Sequence, residues 1–335
     1  RMAEIFAMGT VSAQPGTTAT GYIESAYLRD GSRVRIPLII VRGVETGPVL
    51  WVGSTIHGDE IPGCEVIRRL TRERLNPTVL RGTLVASPVQ NPVAFLTGTR
   101  LTEHDGVNIN RVFPGNAKGT LTERIAYDLF HQGIAKVDAV LDLHSNSMGA
   151  VCFTIVRTGG SGKAWDAKWE LADAFGISVA VGPVGQLGLG GTPSSGTLHD
   201  AAIGAGKPAL TVELSGGFMW EEHSVRAGVT GVLNVMKHLR MLDGAPEPQT
   251  EVPVLPGRLT DRRYLTCERG GFVRALKPLG AAVREGEPVA VLYDVFGEEV
   301  ELIRSPINGW VITYDPLTGN RTVVSGDSIA FVFGA

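Results

Sequence analysis

The stretch "VLWVGSTIHGDEIPGCEVIRRL", residues 49–70, carries the reading that decides the fold. Its first seven residues are apolar on both faces, as a central strand covered by helices on both sides must be. Its last part opens a helix candidate over 60–74. Between the two, His57 and Glu60 stand three apart, boxed in by Gly53, Gly58 and Gly63.

The same alternation extends in both directions. Further strand candidates are "RIPLIIV" (35–41), "TLVASPV" (83–89), "AVLDLH" (139–144), "VCFTIV" (151–156) and "ALTVEL" (209–214), and further helix candidates lie at 121–136, 164–175 and 221–241. Thr120 or Thr122 is a suitable N-cap for the first of these. The pattern predicts an α/β fold, a mixed and largely parallel sheet flanked by helices, with ligands at the carboxyl ends of its strands. It spans a catalytic domain over 1–245. Pro246, Pro248, Pro253 and Pro256 then mark a linker over 246–257, since proline cannot continue the preceding helix. Beyond it, 258–335 reads as a small all-β module of short runs broken by Gly and Pro turns.

Bulk composition narrows the function. The chain has 335 residues, 19% charged and 43% hydrophobic, with net charge −3. No basic run of the kind that tracks phosphates is present, which argues against a nucleic-acid partner. No apolar run approaches the ~18 residues of a membrane span, and the N-terminal stretch lacks the apolar core of a signal peptide. Three cysteines without a CxxC point to a reducing, cytoplasmic setting.

A catalytic zinc typically takes three protein ligands and keeps a fourth position for water. His57 and Glu60 can supply two, and "LDLHS" delivers His144 at the carboxyl end of its strand as the third, giving a His2Glu set. A base is then needed. "PALTVELSGG" places Glu213 at the end of another apolar strand, where burial is costly unless a cation compensates. In "TRLTEHDGVNINRVFPG" (99–115), Arg100, Asn110 and Arg111 offer a fork for a carboxylate or a carbonyl under attack. On composition alone an ion-paired surface loop is the simpler account of that segment.

Taken in order, "HGDE", "NPVAF", "NINRVFPG", "DLHS" and "VELSGG" resemble the succinylglutamate desuccinylase/aspartoacylase family, relatives of the zinc carboxypeptidases, over roughly residues 35–240. The resemblance implies one zinc ion per chain, held by His57, Glu60 and His144. It implies Glu213 as the catalytic glutamate, Asn110 and Arg111 as the substrate-gripping pair, and Arg100 as the carbonyl-polarising arginine. Asp142 is a candidate to orient His144. The implied reaction is hydrolysis of the amide bond of a small N-acyl amino acid, acetyl, succinyl or similar, releasing a carboxylic acid and a free amino acid. A zinc carboxypeptidase acting on peptides and an inactive binding protein are the alternatives.

Other features tempt toward different chemistry. The glycine-rich "GPVGQLGLGGTPSSG" (182–196) lacks the GK[ST] ending of a P-loop and reads as a mobile loop bordering the site. His199 just after it is a pocket-lining or structural histidine. His104, His131, His223 and His238 fit no ligand spacing. Cys64, four after Glu60, reads as a small buried hydrophobe. The β module resembles the barrel-sandwich of biotinyl and lipoyl carriers. Its only lysine, Lys277, is followed by Pro278 and not at an evident hairpin tip. A capping role, or a surface for homo-oligomer formation, suits the module better.

Overall fold

The computed structural model describes residues 3–183, 196–314 and 320–335. A small hairpin, β1 (Phe6–Met8) and β2 (Val11–Ala13), leads into a nine-stranded mixed sheet. In chain order its strands are β3 (Thr17–Tyr27), β4 (Arg33–Arg42), β5 (Glu45–Ser54), β6 (Arg81–Ser87), β7 (Ala139–Ser145), β8 (Phe153–Thr158), β9 (Ser178–Pro183), β10 (Ala209–Leu214) and β11 (Arg258–Leu259). Their order across the sheet is β11-β9-β8-β10-β7-β5-β6-β4-β3. The neighbours β10, β7, β5 and β6 run parallel, and β8 and β4 flank them antiparallel. Four carboxyl ends therefore open along one edge, where an open α/β sheet binds its ligands.

Helices cover both faces: α1 (Pro62–Arg69), α2 (Pro92–Thr97), α3 (Leu121–Asp128), α4 (Lys163–Phe175), α5 (Leu198–Gly204) and α6 (Glu222–His238). Period-two alternation along β5 sends Leu50 and Val52 into one core with Val66 of α1 and Val232 of α6. Trp51 goes into the opposite core with Ile125 of α3 and Leu198 of α5. Thr120 caps α3 with a full capping box: its side chain accepts from Glu123 N–H, and Glu123 accepts from Thr120 N–H. The helix predicted over 121–136 is segmented, with a wide π turn at Leu129–Gly133 and a 3-10 turn at Ile134–Lys136. Gly133 sits where a Cβ would meet the Trp51 ring at 3.0 Å, so the chain passes the indole without a side chain. Strands β3 and β9 and helices α2 and α5 are additions to the elements expected from sequence.

The C-terminal residues form two packed four-stranded antiparallel sheets from β12 (Asp261–Thr266), β13 (Gly271–Ala275), β14 (Ala282–Val283), β15 (Pro288–Tyr293), β16 (Glu299–Arg304), β17 (Gly309–Tyr314), β18 (Arg321–Val323) and β19 (Ser328–Gly334). The short β11 at Arg258–Leu259 instead pairs with β9 in the main sheet, two residues past the boundary drawn from sequence. The proline-rich stretch lies against the main body: Glu247 and Asn234 exchange two hydrogen bonds of 2.7 Å, and Leu255 N–H donates to Ser178 Oγ.

A shared apolar core holds the module in place. Val151, Phe153, Ile155 and Leu259 pack with Ile312, Phe331 and Phe333, and Val151 N–H donates to Ile312 O at 2.9 Å. Ser147 and Thr313 hydroxyls bond across the same junction. Lys277 is ion-paired with Glu287, and its carbonyl accepts from Tyr314 OH. Among the described residues no helix is long and apolar enough to cross a membrane.

Candidate metal centre

The turn after β5 brings His57 and Glu60 together, and Gly58 between them packs where a Cβ would strike Ala94 O at 2.0 Å. The end of β7 supplies His144. One ligand atom from each of the three lies within 4.8 Å of the others, and all three side chains are buried. This group can hold a metal ion. His57 Nδ1 lies 2.7 Å from Glu60 Oε1, and His144 Nδ1 lies 2.8 Å from Glu60 Oε2. On the far side of each ring an acceptor waits: Asn108 Oδ1 at 3.2 Å from His57 Nε2, and Asp142 Oδ2 at 2.8 Å from His144 Nε2. Acceptors at both Nε2 atoms keep a proton there, so the two Nδ1 atoms face the common point as ligand atoms.

The electrostatics fit a cation. Burial pushes the His57 imidazole down to about 4 against the pull of Glu60. Burial also opposes charge on His144, but the Asp142 and Glu60 carboxylates outweigh it and lift this imidazole well above the usual range. The two imidazoles hold Glu60 well below the carboxylate range despite its burial. A hard carboxylate and two imidazoles suit zinc or a similar divalent ion.

Glu213 sits on β10 directly beside His144 of β7 in the parallel register. Burial lifts its carboxyl to about 6, in part offset by His144. Asn146 Nδ2 donates to Glu213 Oε2 at 3.0 Å. Arg100 Nη1 donates to Glu60 Oε1 at 2.7 Å, which places it at the candidate ligand set. Asn110 is buried, its Oδ1 accepting from Leu198 N–H at 2.8 Å, while Arg111 donates to Asn110 O. All seven side chains singled out in sequence line one cavity: His57, Glu60, Arg100, Asn110, Arg111, His144 and Glu213.

That cavity has further walls which sequence reasoning missed. Arg157 of β8, Asn146, Thr211 and Arg262 of β12 line it too. Asn146 stands two after His144 in "DLHSNS", a signal that was open to reading. Arg262 had none, because it comes from the separate β module. There the guanidinium lies 4.3 Å from the Phe331 ring centroid and 4.6 Å from that of Tyr264. His199 does not line the cavity. It is buried behind Thr211, 3.4 Å from Thr211 Oγ1, and burial together with Arg157 and Lys168 pushes it down to about 3. Cys64 is no part of the ligand set and donates to Pro88 O. Of the glycine-rich stretch 182–196, residues 184–195 lie outside the described residues.

Residues 46–239 match the model of the succinylglutamate desuccinylase/aspartoacylase catalytic domain. A relative from Halomonas elongata, named N-alpha-acetyl-L-2,4-diaminobutyric acid deacetylase, is 29% identical over 296 residues, covering 85% of this chain and 83% of its own. A crystal structure of a succinylglutamate desuccinylase/aspartoacylase from Rhodobacter sphaeroides superposes with a TM-score of 0.80 at 27% identity, over 94% of each chain. The apo structure of the ectoine utilization protein EutE (DoeB) from Ruegeria pomeroyi gives 0.79 at 25% identity, over 99% of each chain.

Proposed function

Because the chain belongs to the succinylglutamate desuccinylase/aspartoacylase family, we propose that it is a zinc-dependent deacylase that hydrolyses the amide bond of a small N-acyl amino acid. The carrying observation is the convergence of His57, Glu60 and His144 within 4.8 Å, with Glu213 on the neighbouring strand. The Halomonas elongata relative, a deacetylase by name, supports a short acyl group and an amino-acid leaving group.

A bound zinc ion supplies Lewis acidity and makes water a nucleophile near neutral pH. Glu213 takes the proton of the attacking water and passes it to the departing amine nitrogen, which is why a carboxyl lifted to about 6 suits the task. Arg100 stabilises the negative charge that develops on the acyl oxygen. Asn110 and Arg111 hold the amino-acid carboxylate. Arg111, Arg157 and Arg262 line the rest of the cavity, where guanidinium groups suit an anionic substrate.

The test uses metal-analysed protein with a panel of N-acetyl and N-succinyl amino acids and short peptides. Release of free amino acid from the N-acyl compounds is the expected result. Turnover of peptides alone would replace the deacylase by a carboxypeptidase.

A further inference from the structure

Beneath the candidate metal centre runs a buried polar chain which no step of that chemistry uses. Trp51 Nε1–H donates to Gln90 Oε1 at 3.1 Å, and Gln90 Nε2–H donates to Asp142 Oδ1 at 2.8 Å. The other oxygen of Asp142 meets His144 Nε2 at 2.8 Å. Trp51 and Gln90 are fully buried, and Asp142 is 1% exposed. The sequence provides for it: Gly53 has no side chain, and a Cβ there would lie 2.2 Å from Gln90 Oε1 and 2.6 Å from Trp51 Nε1. Gln90 is further fixed by its backbone N–H to Ser54 O at 2.9 Å.

The direction of each bond follows from the groups it joins. An indole can only donate, so the amide oxygen of Gln90 must face Trp51. A carboxylate oxygen accepts, so the amide nitrogen of Gln90 faces Asp142 Oδ1, and an Nε2–H on His144 is what suits Asp142 Oδ2. A chain of this kind costs desolvation and gives little net stability over apolar groups of the same shape. Its product is geometric: it holds one carboxylate oxygen still, and with it the plane of the His144 ring.

We propose that Gln90, anchored by Trp51, is a positioning residue for the metal centre that sets the orientation of the His144 ring through Asp142. This rests on the metal-centre reading above. The experiment compares wild type with Gln90→Met, which keeps the volume and removes both hydrogen bonds, and with Trp51→Phe, which removes only the terminal donor. Three quantities are measured: zinc affinity by chelator competition, the His144 Nε2–H proton of metal-free protein carrying 15N-histidine, and the melting temperature.

Zinc affinity is expected to fall about tenfold to a hundredfold in Gln90→Met, the usual cost of losing a partner behind a ligand, and to fall less in Trp51→Phe. The Nε2–H proton, protected from water in wild type, should exchange faster in the same order. A folded Gln90→Met protein with wild-type affinity and an unchanged Nε2–H signal would overturn the proposal. So would a loss of melting temperature alone. If Gln90→Met does not fold, Trp51→Phe decides by the same two readings. A wild type that takes up no zinc would refute the functional reading, while the NMR signal of the metal-free protein still tests the chain.

Discussion

The cavity has two ends built in different ways. At the ligand end, His57, Glu60 and His144 come from two neighbouring strand ends, and each polar atom is matched by a partner at 2.7–3.2 Å. At the other end, Arg111 closes a short 3-10 turn (Ile109–Arg111), Arg157 stands on β8, and Arg262 is carried in by the β module. The first end is pre-organised by short-range geometry, and the second is assembled by docking one unit against another. A metal needs ligand atoms fixed to a few tenths of an ångström, whereas a guanidinium draws an anion over a longer range. Chemistry and selectivity should therefore respond to different substitutions.

The strongest effect belongs at the ligand end. His144→Ala should strip zinc during dialysis against a mild chelator, read by elemental analysis, and abolish turnover. Full zinc retention would remove His144 from the ligand set. Next, Glu213→Gln should keep zinc and lower kcat by at least the ~10²-fold typical of acid–base catalysis. Undiminished turnover would remove Glu213 as the base.

The pH dependence sharpens this further. A base must be ionised to act, and Glu213 is protonated below about 6. The rate should thus climb with pH up to about 6 and then level off. A bound cation favours the carboxylate, so it moves that limb to lower pH, never higher. The limb should vanish in Glu213→Gln, and a residual rate with an identical pH profile would contradict the assignment.

At the other end, Arg262→Gln should raise KM about tenfold to a hundredfold for an anionic substrate while leaving kcat and zinc content near wild type, since a charged hydrogen bond is worth about 1.5–3 kcal/mol. An effect on kcat alone would mean that the two ends are not separable. The smallest effect is expected at the junction. Thr313→Val deletes the hydroxyl pair with Ser147 and should cost about 1 kcal/mol of stability in denaturant titrations.

The same contrast explains what could be read from the chain. Central strands such as β7, buried at every position, announce themselves as short, mainly apolar runs. The ligand end is legible because its residues sit at strand ends in short, ordered motifs. Strand β3, "TTATGYIESAY", lies at the sheet edge with half of its face wet, so threonines and a glycine blur its pattern. Helix α5, only seven residues, falls below the span over which periodicity can be counted. Arg157 and Arg262 went unseen for a physical reason: an arginine in a strand is usually a solvated side chain. The packing of the β module against Phe153 and its neighbours, Phe331 and Phe333 included, brings β12 to the cavity. Gln90 was hidden in plain view inside "VQNPVAF", because a neutral amide carries no chemistry until its partners are known.

The two-residue strand β11 has a practical consequence for anyone trimming this polypeptide. Arg258 and Leu259 cover the outer margin of β9 by pairing with Val179 and Ala180. A shortened protein that stops within the proline-rich stretch would bare that margin, along with the apolar faces of Phe153 and Ile155. Unpaired backbone beside greasy side chains is a template on which a second molecule can add its own strand. Such a fragment is expected to precipitate, or to form chains of molecules, rather than remain a dispersed monomer.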